Sequence, residues 1–354
     1  MAEYKCSNCG GSMEFDSKSQ KLICPWCGSE HDPKEYDAQQ QAQAAQAQNA
    51  QQGGQAFAVE QSEWNVNSDG LMSYICKNCG GEVVGDETLA STSCPYCDSP
   101  IVRNDQFAGV LKPDLIIPFK LDKNQAKEKL NRFVSSKKLV PKVFKDAKHI
   151  DEIKGLYVPF WLFDADVYGE GHFNAERQTG DQINSFDVFR SGTLSFRDVP
   201  VDAASKMQDE MMDSIEPFNM NEATSFSTAY LAGYMADKYD VSPEECFMRG
   251  NERIRKSVED ELIGSMKGYT NVHARDVNMN IMQGQAKYAL LPVWVLNTTW
   301  EGKQYRFAMN GQTGKYTGDL PYDKKAYKGY FFRTAIVTAL IVFGALFLFW
   351  FLKK

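Results

Sequence analysis

The sequence predicts a multidomain chain: two small modules built on cysteines, an α+β domain carrying an internal duplication, and a single C-terminal transmembrane helix. Three observations carry that prediction. A cysteine pattern occurs twice at a constant offset, a strand-and-turn pattern recurs in the second half of the chain, and residues 334–352 carry no charge.

The cysteine pattern reads Tyr4, Cys6, Cys9, Gly10, Gly11, then Cys24, Pro25, Cys27. It returns 70 residues later as Tyr74, Cys76, Cys79, Gly80, Gly81, then Cys94, Pro95, Cys97. In each copy 14 residues separate the inner cysteines, close to the C-x2-C…C-x2-C spacing of a zinc site. A C-x-x-C-G turn aims two thiolates at one point, and two such turns close a tetrahedral four-sulfur cage. The reading is therefore two four-cysteine zinc ribbons, each holding one structural Zn2+. The ligands are Cys6, Cys9, Cys24 and Cys27 in the first, and Cys76, Cys79, Cys94 and Cys97 in the second. A closed cage leaves no open position for a substrate. A disulfide framework would need an oxidising compartment, and Met1 to Lys5 begin no apolar signal region.

Residues 1–37 form the first ribbon, with Trp26 and Phe15 expected beside the metal and His31 expected as a plain polar residue. Residues 38–71 are a Gln- and Ala-rich linker without an apolar stripe, read as a frayed helix or tether that lets the first ribbon move independently. The second ribbon occupies residues 72–104.

The α+β domain spans residues 108–325. Leu111 to Lys120 reads as a short strand limited by Pro113 and Pro118. Asp122 with Gln125 three residues on is a capping box that opens a helix. Tyr157 to Val167 reads as a strand leading into a hairpin at Gln178, Thr179 and Gly180. Ser205 to Ser214 and Ser225 to Tyr239 read as helices. Ser242, Pro243 and Glu245 open another. Pro159, Trp161 and Gly169 recur as Pro292, Trp294 and Gly302 at an offset of 133, and Gln178-Thr179-Gly180 recurs as Gln312-Thr313-Gly314. Two related halves sharing one sheet are expected.

Residues 331–352 form the transmembrane helix. Its 19 uncharged residues extend roughly 28 Å, near the thickness of a hydrocarbon core. Phe331, Phe332 and Trp350 sit where interfacial aromatics belong, and Lys353 and Lys354 can snorkel. Lys324, Lys325, Lys328 and Arg333 precede the span, so the positive-inside rule leaves the N-terminal bulk in the cytoplasm, as reduced thiolates also prefer. The expected protein is single-pass, tail-anchored in the cytoplasmic membrane.

Chemistry is sparse. The net charge is −7, and Glu3, Glu14, Asp16, Glu30 and Asp32 surround one cage while Glu82, Asp86, Glu87 and Asp98 surround the other. That balance argues against gripping a phosphate backbone. Asp164 and Asp166 share a strand face near Glu170 and His172, more as a solvated edge than an acid/base pair. Gly311 to Lys315 lacks phosphate-loop spacing and reads as a hairpin turn. Cys246, in the first turn of a helix without a nearby histidine, reads as a packing residue. The chain is expected not to be an enzyme.

Cys24-Pro25-Trp26-Cys27, Cys94-Pro95-Tyr96-Cys97, Ile117-Pro118-Phe119-Lys120, Tyr157-Val158-Pro159-Phe160-Trp161, Tyr230-Leu231-Ala232-Gly233 and residues 310–321 resemble bacterial membrane proteins of the TFIIB zinc-ribbon type. Such proteins are often named after primosomal helicases or phage replication proteins for their ribbons; this chain carries no helicase motif. The resemblance implies protein partners of the stomatin/prohibitin/flotillin type or of the phage-shock system. It implies a membrane-anchored adaptor or scaffold that localises partners at the cytoplasmic membrane, in a membrane-stress response. The alternative is a membrane-associated, replication-related protein that binds single-stranded nucleic acid by stacking bases on Trp26 and Tyr96.

Overall fold

The computed structural model describes Cys6, residues 11–34, Trp64 and residues 71–86, 93–104, 111–146 and 150–352. The N-terminal module contributes β1 (Glu14–Asp16), β2 (Lys21–Ile23) and β3 (Glu30–His31), a small antiparallel sheet of its own. The second module contributes β4 (Met72–Cys76), β5 (Glu82–Gly85) and β6 (Ile101–Asn104). The body follows with β7 (Leu115–Ile116), α1 (Lys123–Ser136), β8 (Lys154–Thr179), β9 (Gln182–Asp202) and α2 (Asp209–Ile215). Next come β10 (Thr224–Ser225), β11 (Met235–Asp237), α3 (Pro243–Gly264), β12 (Thr270–Trp300), β13 (Lys303–Asn310), β14 (Tyr316–Gly318) and α4 (Lys324–Leu352).

Two long strands, β8 and β12, run antiparallel down the centre, and each turns back on itself as a hairpin with β9 and β13. Left-handed residues make those turns: Gly180 in the first, Glu301 and Gly302 in the second. The lower part of β8, Leu156 to Phe163, is buried on both faces. One face meets a core that includes Ala126, Leu130 and Trp294, the other Met207, Met212 and Ile215. A strand covered on both sides reads as a continuous apolar run, which is how the sequence reads here. From Ala165 onward the run becomes an alternation. Ala165, Val167, Phe173 and Ala175 are buried against Ile254, Val258 and Leu262 of α3, while Tyr168, His172 and Asn174 face outward.

Both capping boxes form. Asp122 accepts from the Gln125 amide at 2.9 Å and Gln125 accepts from the Asp122 amide at 3.0 Å. Ser242 and Glu245 do the same at 3.3 and 2.9 Å, with Pro243 opening α3. The sites just ahead of these caps are also matched. The Trp161 indole donates to the Val241 carbonyl at 3.0 Å, and the Trp294 indole donates to the Leu121 carbonyl at 3.0 Å. Leu156 and Tyr157 lie parallel beside Met235 and Ala236, and Ala289 and Leu290 lie parallel beside Leu115 and Ile116. Val158 and Leu291 face each other at the centre.

One expected helix is replaced. Residues 225–239 hold a short 3-10 turn at Thr228–Leu231 and then β11. Gly233, at φ +82°, breaks the run, and β11 gains ladder partners on both sides, β8 and β5, which local helix propensity cannot match.

Through β11 the strands of the second module continue the body's sheet, in the order β8, β11, β5, β4, β6. The first module lies on the body as well, in place of the free movement expected of it. Phe15 is buried and packs edge-on against Tyr230 with ring centres 5.0 Å apart. Gln20 donates to the Phe119 carbonyl at 2.7 Å and Lys18 pairs with Asp122 at 2.7 Å. Most of the linker lies outside the described residues, but Trp64 is buried edge-on against Phe226 at 5.2 Å. At the other end of the chain α4 is long and apolar enough to cross a membrane, and its apolar window is not buried against the rest of the chain.

Candidate metal centres

In the second module β4 delivers Cys76 to a turn in which the Cys76 amide donates to the Gly81 carbonyl at 2.9 Å and the Cys76 carbonyl accepts from the Gly80 amide at 2.8 Å. Gly80 takes φ +70°, a conformation that a side chain disfavours. A second turn repeats the design: the Cys94 amide donates to the Ser99 carbonyl at 2.8 Å, and the Cys94 carbonyl accepts from the Asp98 amide at 3.0 Å. The two turns bring Cys76, Cys79, Cys94 and Cys97 together, all four sulfurs within 4.8 Å of one another. The sulfurs of Cys76 and Cys97 are 3.5 Å apart, and those of Cys79 and Cys94 are 3.6 Å apart. A disulfide needs about 2.05 Å. A tetrahedral metal with bonds of about 2.3 Å to sulfur needs its ligands roughly 3.8 Å apart, so the donor set fits a metal ion.

The first module uses the same turns. The Cys6 amide donates to the Gly11 carbonyl at 2.8 Å and the Cys24 amide to the Ser29 carbonyl at 2.9 Å. Cys6, Cys24 and Cys27 bring their sulfurs within 4.8 Å of one another, with 3.5 Å between Cys6 and Cys27. Cys9, the fourth expected ligand, lies outside the described residues. His31 stands on β3 opposite Leu22 and is not among the clustered ligands.

The thiols of the second cluster are unequal. Burial pushes the Cys94 thiol up. Burial also opposes ionisation of Cys97, but hydrogen bonds from Ser99 and Asn78 outweigh it and bring that thiol down to about 6. A metal bound here would be held by these four thiols as thiolates, and its charge would favour their deprotonation.

Residues far away in sequence hold this cluster against the body. The Tyr96 hydroxyl donates to the buried Asp237 carboxylate, and Asn297 donates to the Pro95 carbonyl. Arg306 donates to the Tyr96 carbonyl at 3.1 Å, to Asn297 at 3.1 Å and to the Lys206 carbonyl at 2.7 Å. Its cation also interacts electrostatically with Cys79, Cys94 and Cys97. No local signal in the sequence marks Asp237, Asn297 or Arg306; the pairing of β11 with β5, and of β12 with β13, which sets Asn297 opposite Arg306, brings them here.

The aromatic residues of the two cysteine turns differ sharply. Tyr96 is 3% exposed, whereas Trp26, its counterpart 70 residues earlier, is 80% exposed. The expectation that Trp26 packs beside the metal is thus overturned: among the described residues, no part of the body covers that side of the first module.

The acidic strand face does not converge on a reactive point. Asp164 pairs with Lys287 at 2.9 Å and accepts from the Asp198 amide at 2.8 Å. Asp166 pairs with Arg197 at 2.9 Å and accepts from Ser195 at 2.7 Å, and the Ser195 and Arg197 contacts hold its carboxyl below the ordinary range. His172 faces Asp187 at 3.5 Å. Residues 311–315 form the turn between β13 and β14, with Gly314 at φ +77° and the Asn310 side chain accepting from the amides of Gln312 and Thr313 at 2.9 Å each. Cys246 is buried, its thiol 3.5 Å from the Asp202 carbonyl and pushed up to about 12 by burial, as suits a packing residue.

Asp202 anchors a charged network between α3 and α2. Arg249 reaches Asp202 at 2.8 Å and Asp209 at 3.0 Å, while Arg253 reaches Glu216 at 2.9 Å. Burial, only partly offset by Arg249, pushes the Asp202 carboxyl up to about 6. Because the folded chain then holds this proton more tightly than the unfolded one, stability from this group is full below about pH 4 and is lost as pH rises to about 6. Over that window the wild type is expected to lose up to about 3 kcal/mol relative to Asp202→Asn, read as the difference between their unfolding free energies from urea titrations at each pH.

No family model matches the chain, and no solved structure matches it. Over 329 residues the chain is 33% identical to the uncharacterized protein YdjG of Bacillus subtilis (strain 168), a match that covers 91% of this chain and 90% of the relative. With that identity sustained along nearly the whole length of both sequences, the protein belongs to the same family as YdjG.

Proposed function

We propose that the protein is a membrane-anchored adaptor whose two cysteine clusters are zinc ribbons, each holding one structural Zn2+, and which recruits protein partners to the cytoplasmic membrane. The observation that carries this reading is the union of two elements in one chain. A metal-shaped cysteine cluster is seated on the body's continuous sheet, and an apolar helix of 29 residues leaves that body uncovered.

Zinc is the metal that four thiolates in a closed tetrahedron favour in a reducing compartment. The charges ahead of α4 favour a cytoplasmic body. Asp164 and Asp166 on the sheet face are each matched by a cation, as befits a charge-balanced, solvated edge. The matched tryptophans, capping boxes and parallel strands support an origin of the body by duplication of a β-α-β-β unit. The reading as a nucleic-acid binder loses one of its two stacking residues, because Tyr96 is buried and hydrogen-bonded to Asp237.

By its resemblance, the partner class is stomatin/prohibitin/flotillin-type or phage-shock proteins. Capture of the full-length protein from detergent-solubilised membranes is expected to recover such a partner, and Trp26→Ala is expected to reduce that recovery at least about tenfold, as for an interface hot spot. Single-stranded DNA in the capture, with no protein partner, would replace this reading with the nucleic-acid one.

A further inference from the structure

The loop after α1 runs Lys137, Lys138, Leu139, Val140, Pro141, Lys142, Val143, Phe144, Lys145. Two of its apolar side chains turn inward: Val140 and Phe144 are buried, and Phe144 meets Tyr305 edge-on at 5.7 Å. Lys137, Lys138 and Lys142 are exposed. The loop is fixed to the start of α4, where the Asp323 amide donates to the Leu139 carbonyl at 2.8 Å and the Lys138 ammonium lies 6.0 Å over the Tyr330 ring. The first turns of α4 add Lys324, Lys325, Lys328 and Arg333, interleaved with exposed Tyr327, Tyr330, Phe331 and Phe332.

Eight cations from two distant segments are thus brought together, and neither segment contains an acidic residue. Asp323 lies between them, and its carboxylate is engaged with the amides of Lys325 and Ala326 at 2.8 and 3.1 Å. Among the described residues none of the eight pairs with a carboxylate. Lys137 instead lies over the Phe133 ring at 5.6 Å, and Lys145 donates to the Lys137 carbonyl at 2.9 Å.

We infer that this region, residues 137–145 together with 324–333, is a docking surface for anionic lipid headgroups. The inference rests on the reading of α4 as a membrane span. If α4 enters the bilayer, its aromatic first turns lie at the headgroup level, and the loop tied to them is held there too. Exposed lysines at that depth are drawn to an anionic leaflet, each charge contributing about a fivefold gain in association. The surface also orients the body, pressing the end of α1 to the membrane.

The test is amide hydrogen exchange on the full-length protein in phosphatidylcholine nanodiscs, with and without phosphatidylglycerol. Phosphatidylglycerol is expected to slow exchange across residues 138–145 at least about tenfold. High salt, or Lys138→Gln with Lys142→Gln and Lys145→Gln, is expected to abolish the slowing. Equal exchange in both lipids while residues 334–350 stay protected would overturn the docking surface and leave the membrane span standing. Rapid exchange of residues 334–350 in both lipids would overturn the span and the surface together.

Discussion

Cys94→Ser is expected to cut the metal content of the purified chain from two ions to one and to unfold much more than the second module. The reason is topological. The cluster ties Cys76 at the end of β4 to the turn carrying Tyr96, β5 pairs with β11, and β11 pairs with β8 at the centre of the body. A structural zinc supplies about 10–16 kcal/mol of folding free energy in small peptides, whereas the net stability of a whole domain is only about 5–15 kcal/mol. Removing one ligand therefore takes away a quantity of the order of the entire margin. The buried Asp237 carboxylate would lose its Tyr96 donor as well. In a thermal melt the variant is expected to lose its cooperative transition or to melt more than about 10 °C early. Cys24→Ser is expected to be milder for the body, since the first module has its own small sheet and touches the body through contacts such as Phe15 on Tyr230 and Gln20 on Phe119. Equal melting of Cys94→Ser and wild type would contradict the assignment of the second cluster as the metal-dependent edge of the sheet.

Deletion of residues 334–354 is expected to move the protein from the membrane pellet to the soluble fraction. The deleted helix contains twelve Leu, Ile, Val and Phe residues between 334 and 352. At about 0.3–0.6 kcal/mol each, insertion gains on the order of 5 kcal/mol, with no charged side chain in that stretch to oppose it. Among the described residues these side chains find little cover: Leu340, Phe343 and Leu346 are each more than 60% exposed. Water is thus the surrounding in which this helix is unfavourable, and lipid is the one that fits its all-round apolar surface. Carbonate extraction followed by fractionation separates insertion from surface adsorption. A truncated protein that still sediments with membranes after carbonate would remove the span from the account.

The cysteine turns and the helix caps were legible in the sequence because each is a local device. A C-x-x-C-G turn closes within six residues, as the bond from Cys76 to Gly81 does. A capping box closes within four, as Asp122 and Gln125 do. Likewise the uncharged stretch of α4 needs no partner to be recognised. What the sequence could not disclose depends on pairing across long separations. Residues 235–237 became a strand because β8 and β5 flank them, not because of their own propensity. Trp26 and Tyr96 stand at equivalent places in the repeat, yet one is bare and the other enclosed, since only the second module meets Arg306 and Asp237. From the sequence the first module looks free, because its linker carries no apolar stripe. Its docking on the body uses Phe15, which looks from the sequence like an internal residue of that module.

The central claim is that these cysteines hold metal rather than each other. It is tested most directly by elemental analysis of the intact, freshly purified protein alongside a thiol count after chelation. The account predicts two zinc ions per chain and the eight cysteines of the two clusters recovered as thiols. A metal-free protein whose cluster cysteines are oxidised in pairs would contradict it.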